Sequence, residues 1–277
     1  MGSSRLEIEQ LRELGFVKRA GAVPAELARA QGDAIWAELA ALHGIARDDP
    51  RTWRQPLKAP RSPKRHASER GMTAALRGAL DELLGAGSWP DPADWGNVLF
   101  TFPNAERWRL PKGTWHWDSP IAPHRGGAAG LHVFVLLAPM RPGGGGTLFA
   151  QGVHRITLAY YAALSAEQRR AKHAVHRRRV MGANAWLRQL MGTEPGPEDR
   201  IAHFMERASE VDGVPLRVHE MTGEPGDVYF LHPLLAVLPA QRVGVEAEVG
   251  GGLLRGVGGH RGVRSRLGFD GCGPAGG

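Results

Sequence analysis

The sequence has one cysteine in 277 residues, Cys272, and no long run of apolar residues. A single thiol cannot form an internal disulfide, and scarce cysteine suits a reducing compartment, so we expect a cytoplasmic location. A membrane-spanning helix needs about 18 consecutive apolar residues, so we expect no membrane association. The first ten residues also lack the basic-then-apolar order of a secretory signal.

Several well-known motifs are also missing. No Gly-x-Ser-x-Gly elbow of a serine hydrolase occurs, and the glycine run 143–146 is not followed by the Lys-Ser/Thr pair of a phosphate loop. The net charge of +7 raises the question of nucleic-acid binding. No zinc-finger, helix-turn-helix or aromatic RNA-binding signature accompanies that charge, so we expect no nucleic-acid partner.

Hydrophobic spacing divides the chain into a helical first part and a strand-rich second part. Residues 1–95 favour helices: Pro24 suits a first helical turn, and Thr73 and Gly85 can begin and end a later helix. Strand patterns occupy 97–102, 131–137, 216–219 and 227–232. Between them, residues 156–207 favour a helical insertion, in which Ser165 and Gln168 have capping-box spacing.

Short strands around one helical insertion predict a mainly β fold with flanking helices, of the jelly-roll or barrel type. We expect one domain over residues 1–240, with a helical part over 1–95 and the β part over 96–240. The insertion also contains a cluster of five arginines: Arg169, Arg170, Arg177, Arg178 and Arg179. This cluster is most simply a solvated helical face, and binding of an acidic partner is the alternative.

The composition changes after residue 240. Residues 241–277 contain 13 of the 38 glycines and few large apolar side chains. A shifted reading frame in GC-rich DNA, a natural flexible tail and a degenerate end would each give this composition. Glycine loses much conformational entropy on ordering. We therefore expect a Gly/Arg-rich, disordered tail, with poor packing from about Ala236 onward.

The triplet His116-Trp117-Asp118 is the strongest chemical signal in the chain. Two residues separated by one position in an extended segment point to the same face. An imidazole and a carboxylate on one face can bind one metal ion, as in the two-His-one-carboxylate triad of non-heme iron oxygenases. The motif is short, and a structural His–Asp pair is the alternative interpretation.

Further motifs follow this triplet in a fixed order. A strand and a Pro-Gly-Gly-Gly-Gly-Thr-Leu segment come first, then Gly152-Val153-His154-Arg155, then the segment 226–235 with its His232-Pro233 pair. The opening Gly15-Phe16-Val17 fits the same pattern. In this order, over residues 10–236, the chain resembles the phytanoyl-CoA dioxygenase family of Fe(II)/2-oxoglutarate oxygenases.

The resemblance implies a fold, a cofactor and a reaction. It implies a double-stranded β-helix, a jelly-roll or cupin-like barrel, with His116 and Asp118 as iron ligands. It implies Fe(II) as cofactor, 2-oxoglutarate and molecular oxygen as co-substrates, and hydroxylation of a small organic substrate. Trp115 and Trp117 flank the ligands and would line the substrate pocket, unless they are ordinary packing residues.

The chain departs from the family pattern at two positions. The family's third iron ligand falls at position 237, which is valine here. The arginine that pairs with the 2-oxoglutarate carboxylate falls near Glu248, and the nearest base is Arg242. His232 is the substitute ligand nearest in sequence, although an odd offset of five along a strand turns its side chain away from the metal unless a bulge intervenes.

Other histidines are weaker candidates for the missing ligand. His219 and His260 rank below His232, and His132 and His154 are interpreted as structural. Two functions therefore stay open. One is a 2-oxoglutarate-dependent dioxygenase impaired by the loss of its third iron ligand. The other is a catalytically inactive β-helix protein, or a cupin-like one, that binds metal or ligand without turnover.

Overall fold

The structure is a computed structural model that describes residues 2–53, 72–89, 97–99, 102, 108–117, 130–238 and 252–255. Its first part contains three helices: α1 (Gly2–Leu14), α2 (Ala25–His43) and α3 (Ala74–Leu84). A short 3₁₀ helix (Pro50–Thr52) follows α2. The helical character expected for the first part of the chain is confirmed over these ranges.

The ends of these helices follow the expected local signals. Pro24 immediately precedes α2, and Gly44 ends it in the left-handed conformation with φ of 65°. The Thr73 side chain accepts a hydrogen bond from the Leu76 backbone N–H at 3.1 Å, which caps α3. Gly85 follows the last residue of α3.

The strands form two antiparallel sheets. The strands are β1 (Phe16–Arg19), β2 (Asn97–Val98), β3 (His132–Val135), β4 (Leu148–Gln151), β5 (Ser209–Val211), β6 (Val214–Glu220), β7 (Val228–Leu231), β8 (Ala236–Leu238) and β9 (Gly252–Arg255). The first sheet has the order β1-β7-β3-β9-β2 and the second has the order β5-β6-β4-β8. Within the described part of the chain the sheets remain separate and do not close into a barrel.

Three apolar clusters hold the layers together. The first lies between the first sheet and α2 and α3, and includes Leu39, Leu83 and Phe230. The second covers the outer face of the second sheet and includes Trp186 and Leu187. The third, which we call the inter-sheet cluster, consists of Phe134, Leu136, Met140, Phe149, Met221, Tyr229, Leu231, Leu235 and Val237.

The helical insertion covers the outer face of the second sheet. It contains α4 (Val153–Ala162), a 3₁₀ helix (Gln168–Arg170), α5 (His173–Met181), α6 (Ala185–Met191) and a π-helical turn (Ala202–Glu206). The expected capping box is present, because the Ser165 backbone N–H donates to Gln168 Oε1 at 2.8 Å and the Gln168 backbone N–H donates to Ser165 Oγ at 3.2 Å. Gly182 ends α5.

The expectation of poor packing from Ala236 onward is wrong for the described residues. Ala236, Val237 and Leu238 are 0%, 3% and 1% exposed and pair with β4. Further along, β9 lies between β3 and β2, so four residues of the Gly/Arg-rich segment complete the first sheet. Backbone pairing needs only N–H and C=O groups, which a glycine-rich segment supplies as well as any other. Residues 239–251 and 256–277 lie outside the described residues.

The first strand of the chain was not expected from the sequence. Phe16–Arg19 forms β1, which pairs with β7 in the register Val17–Phe230. A strand of four residues next to a 13-residue helix is too short to show a recognisable alternation of apolar and polar residues. Its pairing with β7 determines this strand. No helix in the described ranges is both long enough and apolar enough to cross a membrane.

Candidate metal centre

His116 lies directly opposite Val237. The His116 backbone N–H donates to the Val237 carbonyl at 3.0 Å, and the Val237 N–H donates to the His116 carbonyl at 2.8 Å. Two residues that exchange both hydrogen bonds of an antiparallel pair have Cα atoms about 5.5 Å apart and side chains on the same face. The position where the resemblance expects the third iron ligand is therefore the nearest cross-strand neighbour of the first.

This pair is the start of a row across the second sheet. Val237 on β8 is opposite Phe149 on β4, and Phe149 is opposite His219 on β6. The four side chains of the row, those of His116, Val237, Phe149 and His219, therefore share one face of the sheet. That face turns toward the first sheet, because the Phe16 ring on β1 contacts the Phe149 ring with centroids 4.7 Å apart.

The middle of the row is apolar. Val237 and Phe149 are 3% and 0% exposed and both belong to the inter-sheet cluster. A valine offers only methyl groups, which cannot bind a metal ion. The environment of position 237 is that of a core residue, so the position expected to carry the third ligand has ordinary apolar packing.

The polar end of the row is too far away to replace that ligand. Three strand spacings of about 4.8 Å place His219 about 14 Å from His116, whereas an imidazole nitrogen binds a metal at about 2 Å. His219 Nε2 is also 2.8 Å from Gln151 Oε1. Burial, and next the charge of Arg217, lower the pKa of His219 to about 4. His219 is a neutral packing residue stacked on Phe149.

The backbone around His116 favours metal binding through one nitrogen. His116 Nδ1 is 2.9 Å from the Thr114 carbonyl oxygen, which can only accept a hydrogen bond. The proton is therefore assigned to Nδ1, and Nε2 carries the lone pair, the arrangement usual for a metal-binding histidine. Thr114 has φ of 54°, a conformation unfavourable for a β-branched residue. Such strained residues cluster at functional sites.

The two tryptophans beside His116 pack away from it. Trp115 is fully buried in the cluster on the outer face of the second sheet, with Trp186 and Leu187. Trp117 is 4% exposed, and its ring meets the His173 ring of α5 edge-on with centroids 5.5 Å apart. Alternation in an extended segment gives both rings the face opposite His116. This geometry favours packing over the expected pocket-lining role.

Two of the expected site residues, Asp118 and Arg242, lie outside the described residues. Among the residues that are described, no group of three His, Cys, Asp or Glu side chains could hold a metal ion. His116 fits an iron site, whereas position 237 does not. Of the two residues expected to bind iron, the structure describes His116, and Asp118 stays a prediction from the sequence.

The structure places His232 in a different environment from His116. Its ring packs against that of His154 with centroids 4.8 Å apart, and its Nδ1 accepts a hydrogen bond from the Leu234 N–H at 3.0 Å. His232 is 2% exposed, and burial, followed by the charges of His154 and His132, lowers its pKa well below the usual value. We therefore leave His232 out of the proposed ligand set.

His154 has a structural role, as expected. Its Nε2 is 2.8 Å from the Arg12 carbonyl oxygen, and burial lowers its pKa to about 4. Gly15, with φ of 87°, lies so close that an added Cβ would be 2.6 Å from His154 Nδ1. The Gly15 carbonyl accepts from the His232 backbone N–H at 2.8 Å. Three of the motifs that carry the resemblance thus meet in a packing cluster around His154 and His232.

The glycine run 143–146 also has a structural explanation. The Glu220 carboxylate accepts hydrogen bonds from the backbone N–H groups of Gly143, Gly145 and Gly146 at 2.7, 2.9 and 3.0 Å. A Cβ on Gly146 would collide with the Met221 carbonyl oxygen. Sequence reasoning missed Glu220 because it lies 74 to 77 residues from these partners.

Comparison with known proteins supports the fold. No protein-family profile and no curated protein matches the sequence. Among solved structures, EvdMO1 is 15% identical with a TM-score of 0.50. The match covers 90% of this chain and 49% of EvdMO1, so the chain spans about half the length of that protein.

Two further structures are similar at a lower level. SnoK, a non-heme α-ketoglutarate-dependent carbocyclase from nogalamycin biosynthesis, is 14% identical with a TM-score of 0.49 and coverages of 90% of this chain and 82% of SnoK. AviO1 from Streptomyces viridochromogenes Tue57 is 15% identical with a TM-score of 0.43 and coverages of 90% and 92%. At 15% identity the likeness to EvdMO1 concerns the fold alone and establishes no activity.

Proposed function

We propose that this chain is an Fe(II)/2-oxoglutarate oxygenase-type protein whose iron centre is reduced to two protein ligands, His116 and Asp118. The observation that carries the proposal is the direct pairing of His116 with the buried Val237. In a complete centre, three protein ligands hold iron on one face and leave positions for co-substrate and oxygen. Here the third ligand is replaced by an apolar side chain.

Three observations support the oxygenase class. His116, the first residue of the H-x-D motif, lies where an extended segment joins the edge of the second sheet, beside β8. The His116 tautomer directs the lone pair to Nε2, as metal binding requires. The order of the motifs favours the phytanoyl-CoA dioxygenase family in particular, with 2-oxoglutarate and oxygen as co-substrates and a small organic molecule as substrate.

The missing ligand sets the expected activity. Loss of a residue that only supports a metal ligand typically lowers affinity or activity about 10–100-fold. Loss of a ligand itself should cost at least that much. We therefore expect weak metal binding, and 2-oxoglutarate decarboxylation that is weak or absent. The alternative function is a β-helix protein that binds metal or ligand without turnover. It corresponds to a complete absence of decarboxylation, and the apolar environment of Val237 favours it.

The test is metal binding by calorimetry with Mn(II) under anaerobic conditions, alongside succinate formation with Fe(II). The full chain should bind Mn(II) weakly, and His116→Ala and Asp118→Ala should each abolish that binding. The control is His219→Gln, which lies in the same row but outside the proposed ligand set. Equal Mn(II) affinity in His116→Ala and the parent would refute the site, and fast succinate formation by the parent would refute the impairment.

A further inference from the structure

A strongly basic segment of the helical insertion contacts Trp117 through His173. Residues 165–182 contain six Lys or Arg residues and one Glu, so their net charge is 6 − 1 = +5, compared with +7 for the whole chain. In the part of the chain that the structure describes, none of these six cations takes part in an ion pair. The segment therefore carries a net positive charge that no ion pair among the described residues offsets.

Helix α5 divides this basic segment into two flanks. His176, Val180 and Met181 are buried, whereas Arg178 and Arg179 are exposed. His173 and Arg177 are half-buried and four residues apart, so they are neighbours on the same side of the helix. Two basic side chains thus line a partly enclosed flank, and two others extend into solvent.

The His173–Arg177 flank contacts Trp117, the residue that follows His116. The His173 ring meets the Trp117 ring edge-on, with centroids 5.5 Å apart. The pKa of His173 is lowered first by burial and then by the charges of Arg177, His176 and His116. His173 therefore lies within electrostatic range of both Arg177 and the histidine of the motif.

One polar atom of this flank lacks a hydrogen bond. His173 Nε2 is buried and has no hydrogen-bond partner among the described residues. A buried polar nitrogen without a partner is unfavourable, because it loses its hydrogen bonds to water and gains none in the protein. Such a group beside an unpaired guanidinium would be satisfied by an acceptor that also carries negative charge.

We infer that His173 and Arg177 bind the carboxylate or phosphate group of a small molecule held beside Trp117, on the side of the extended segment opposite His116. Arg177 would donate from its planar fork, which matches either anion, and His173 would donate from Nε2. This location does not depend on the proposed iron ligands, because Trp117 and His116 point to opposite faces of the extended segment. The half-buried position of the pair favours a small molecule over a macromolecular surface, which would also use Arg178 and Arg179.

The test measures anion binding directly, without turnover. Metal-free protein is titrated calorimetrically at pH 8 with 2-oxoglutarate, with inorganic pyrophosphate, and with dimethyl 2-oxoglutarate as the uncharged control. Arg177→Gln should weaken binding of the preferred anion about 10–100-fold, the usual value of a charge-assisted hydrogen bond. Arg178→Gln removes the same charge from the exposed flank of the same helix, and should change affinity less than about threefold because exposed charges are screened.

Each outcome decides the inference. Arg177-dependent binding of 2-oxoglutarate identifies a carboxylate site, and Arg177-dependent binding of pyrophosphate identifies a phosphate site. Equal losses in Arg177→Gln and Arg178→Gln, or no binding of either anion, would overturn the inference. Matching thermal unfolding of the two variants excludes misfolding as the cause. The same titration on His116→Ala separates this inference from the iron proposal, since anion binding should persist when metal binding is lost.

Discussion

His116 and Val237 exchange both backbone hydrogen bonds of an antiparallel pair, which places an imidazole and an isopropyl group side by side on the inner face of the second sheet. The backbone geometry of a two-histidine metal site is thus present, and one side chain is missing. A ligand should therefore be recoverable by a single substitution, because no movement of the main chain is required.

Val237→His should create a stronger metal site. We expect Mn(II) affinity to rise at least tenfold in calorimetry, because a third ligand joins His116 and Asp118. The gain should disappear in the double variant His116→Ala/Val237→His. Val237→Leu is the size control and should bind no better than the parent. Since an imidazole enters an apolar cluster, Val237→His should also be less stable without metal and recover stability when Mn(II) is added. An unchanged affinity in a folded Val237→His protein would contradict the geometry.

Acid should destabilise the protein through the buried histidine cluster. The pKa of His154 falls from 6.5 to about 4 on folding, because burial disfavours its charged form. The folded state then binds fewer protons than the unfolded state between these values, so stability falls as pH drops from 6.5 toward 4. For this one group the loss between pH 7.5 and pH 5 is about 2 kcal/mol. His232, whose pKa is also lowered, adds a loss in the same direction.

The check is urea unfolding of the parent and of His154→Gln at pH 7.5 and pH 5. Glutamine keeps a donor for the Arg12 carbonyl but does not titrate, so the pH-dependent loss should shrink by about 2 kcal/mol. His43→Gln, at the exposed end of α2, is the control and should lose as much stability as the parent. An identical pH dependence in His154→Gln and the parent would show that His154 is not a buried neutral group.

Local signals in the sequence predicted the helices and several strands, and long-range partners determined the rest. Thr73, Gly85, Ser165 and Gln168 act within one helical turn, so their roles can be seen in the sequence. The His116–Val237 contact could be anticipated only through the resemblance, since 121 residues separate the two positions. The contact between His173 and Trp117 had no sequence signal, because it depends on how the insertion folds over the second sheet.

Glu220 should stabilise the glycine turn more than its partial exposure suggests. Its carboxylate is the acceptor for three backbone N–H groups, so Glu220→Ala leaves three donors without that acceptor. We expect a loss of about 1–3 kcal/mol in the free energy of unfolding, measured in urea. Glu220→Gln keeps one acceptor oxygen and should lose less. Glu224→Ala, which breaks an exposed ion pair with Arg141, should cost under about 1 kcal/mol. Equal effects of Glu220→Ala and Glu224→Ala would show that the turn does not depend on Glu220.

Strand β9 should contribute to stability although it lies in the Gly/Arg-rich segment. It pairs with β3 on one side and β2 on the other, with Leu254 opposite Val133. Proline lacks the N–H group and is poorly tolerated inside a sheet, so Leu254→Pro should lower the free energy of unfolding by about 1–3 kcal/mol. Leu254→Thr keeps the N–H group and a strand-favouring side chain, and is the matched control.

The same experiment bears on the origin of the segment. If Leu254→Pro and Leu254→Thr unfold like the parent, β9 contributes no pairing and the segment behaves as a tail. The encoding DNA read in all three frames then gives an independent answer. A shifted frame should restore histidine at position 237 and an arginine roughly ten residues later, and expression of that version should give stronger Mn(II) binding. An uninterrupted frame together with a destabilised Leu254→Pro protein would establish that this chain evolved with valine opposite His116 and with β9 as part of its sheet.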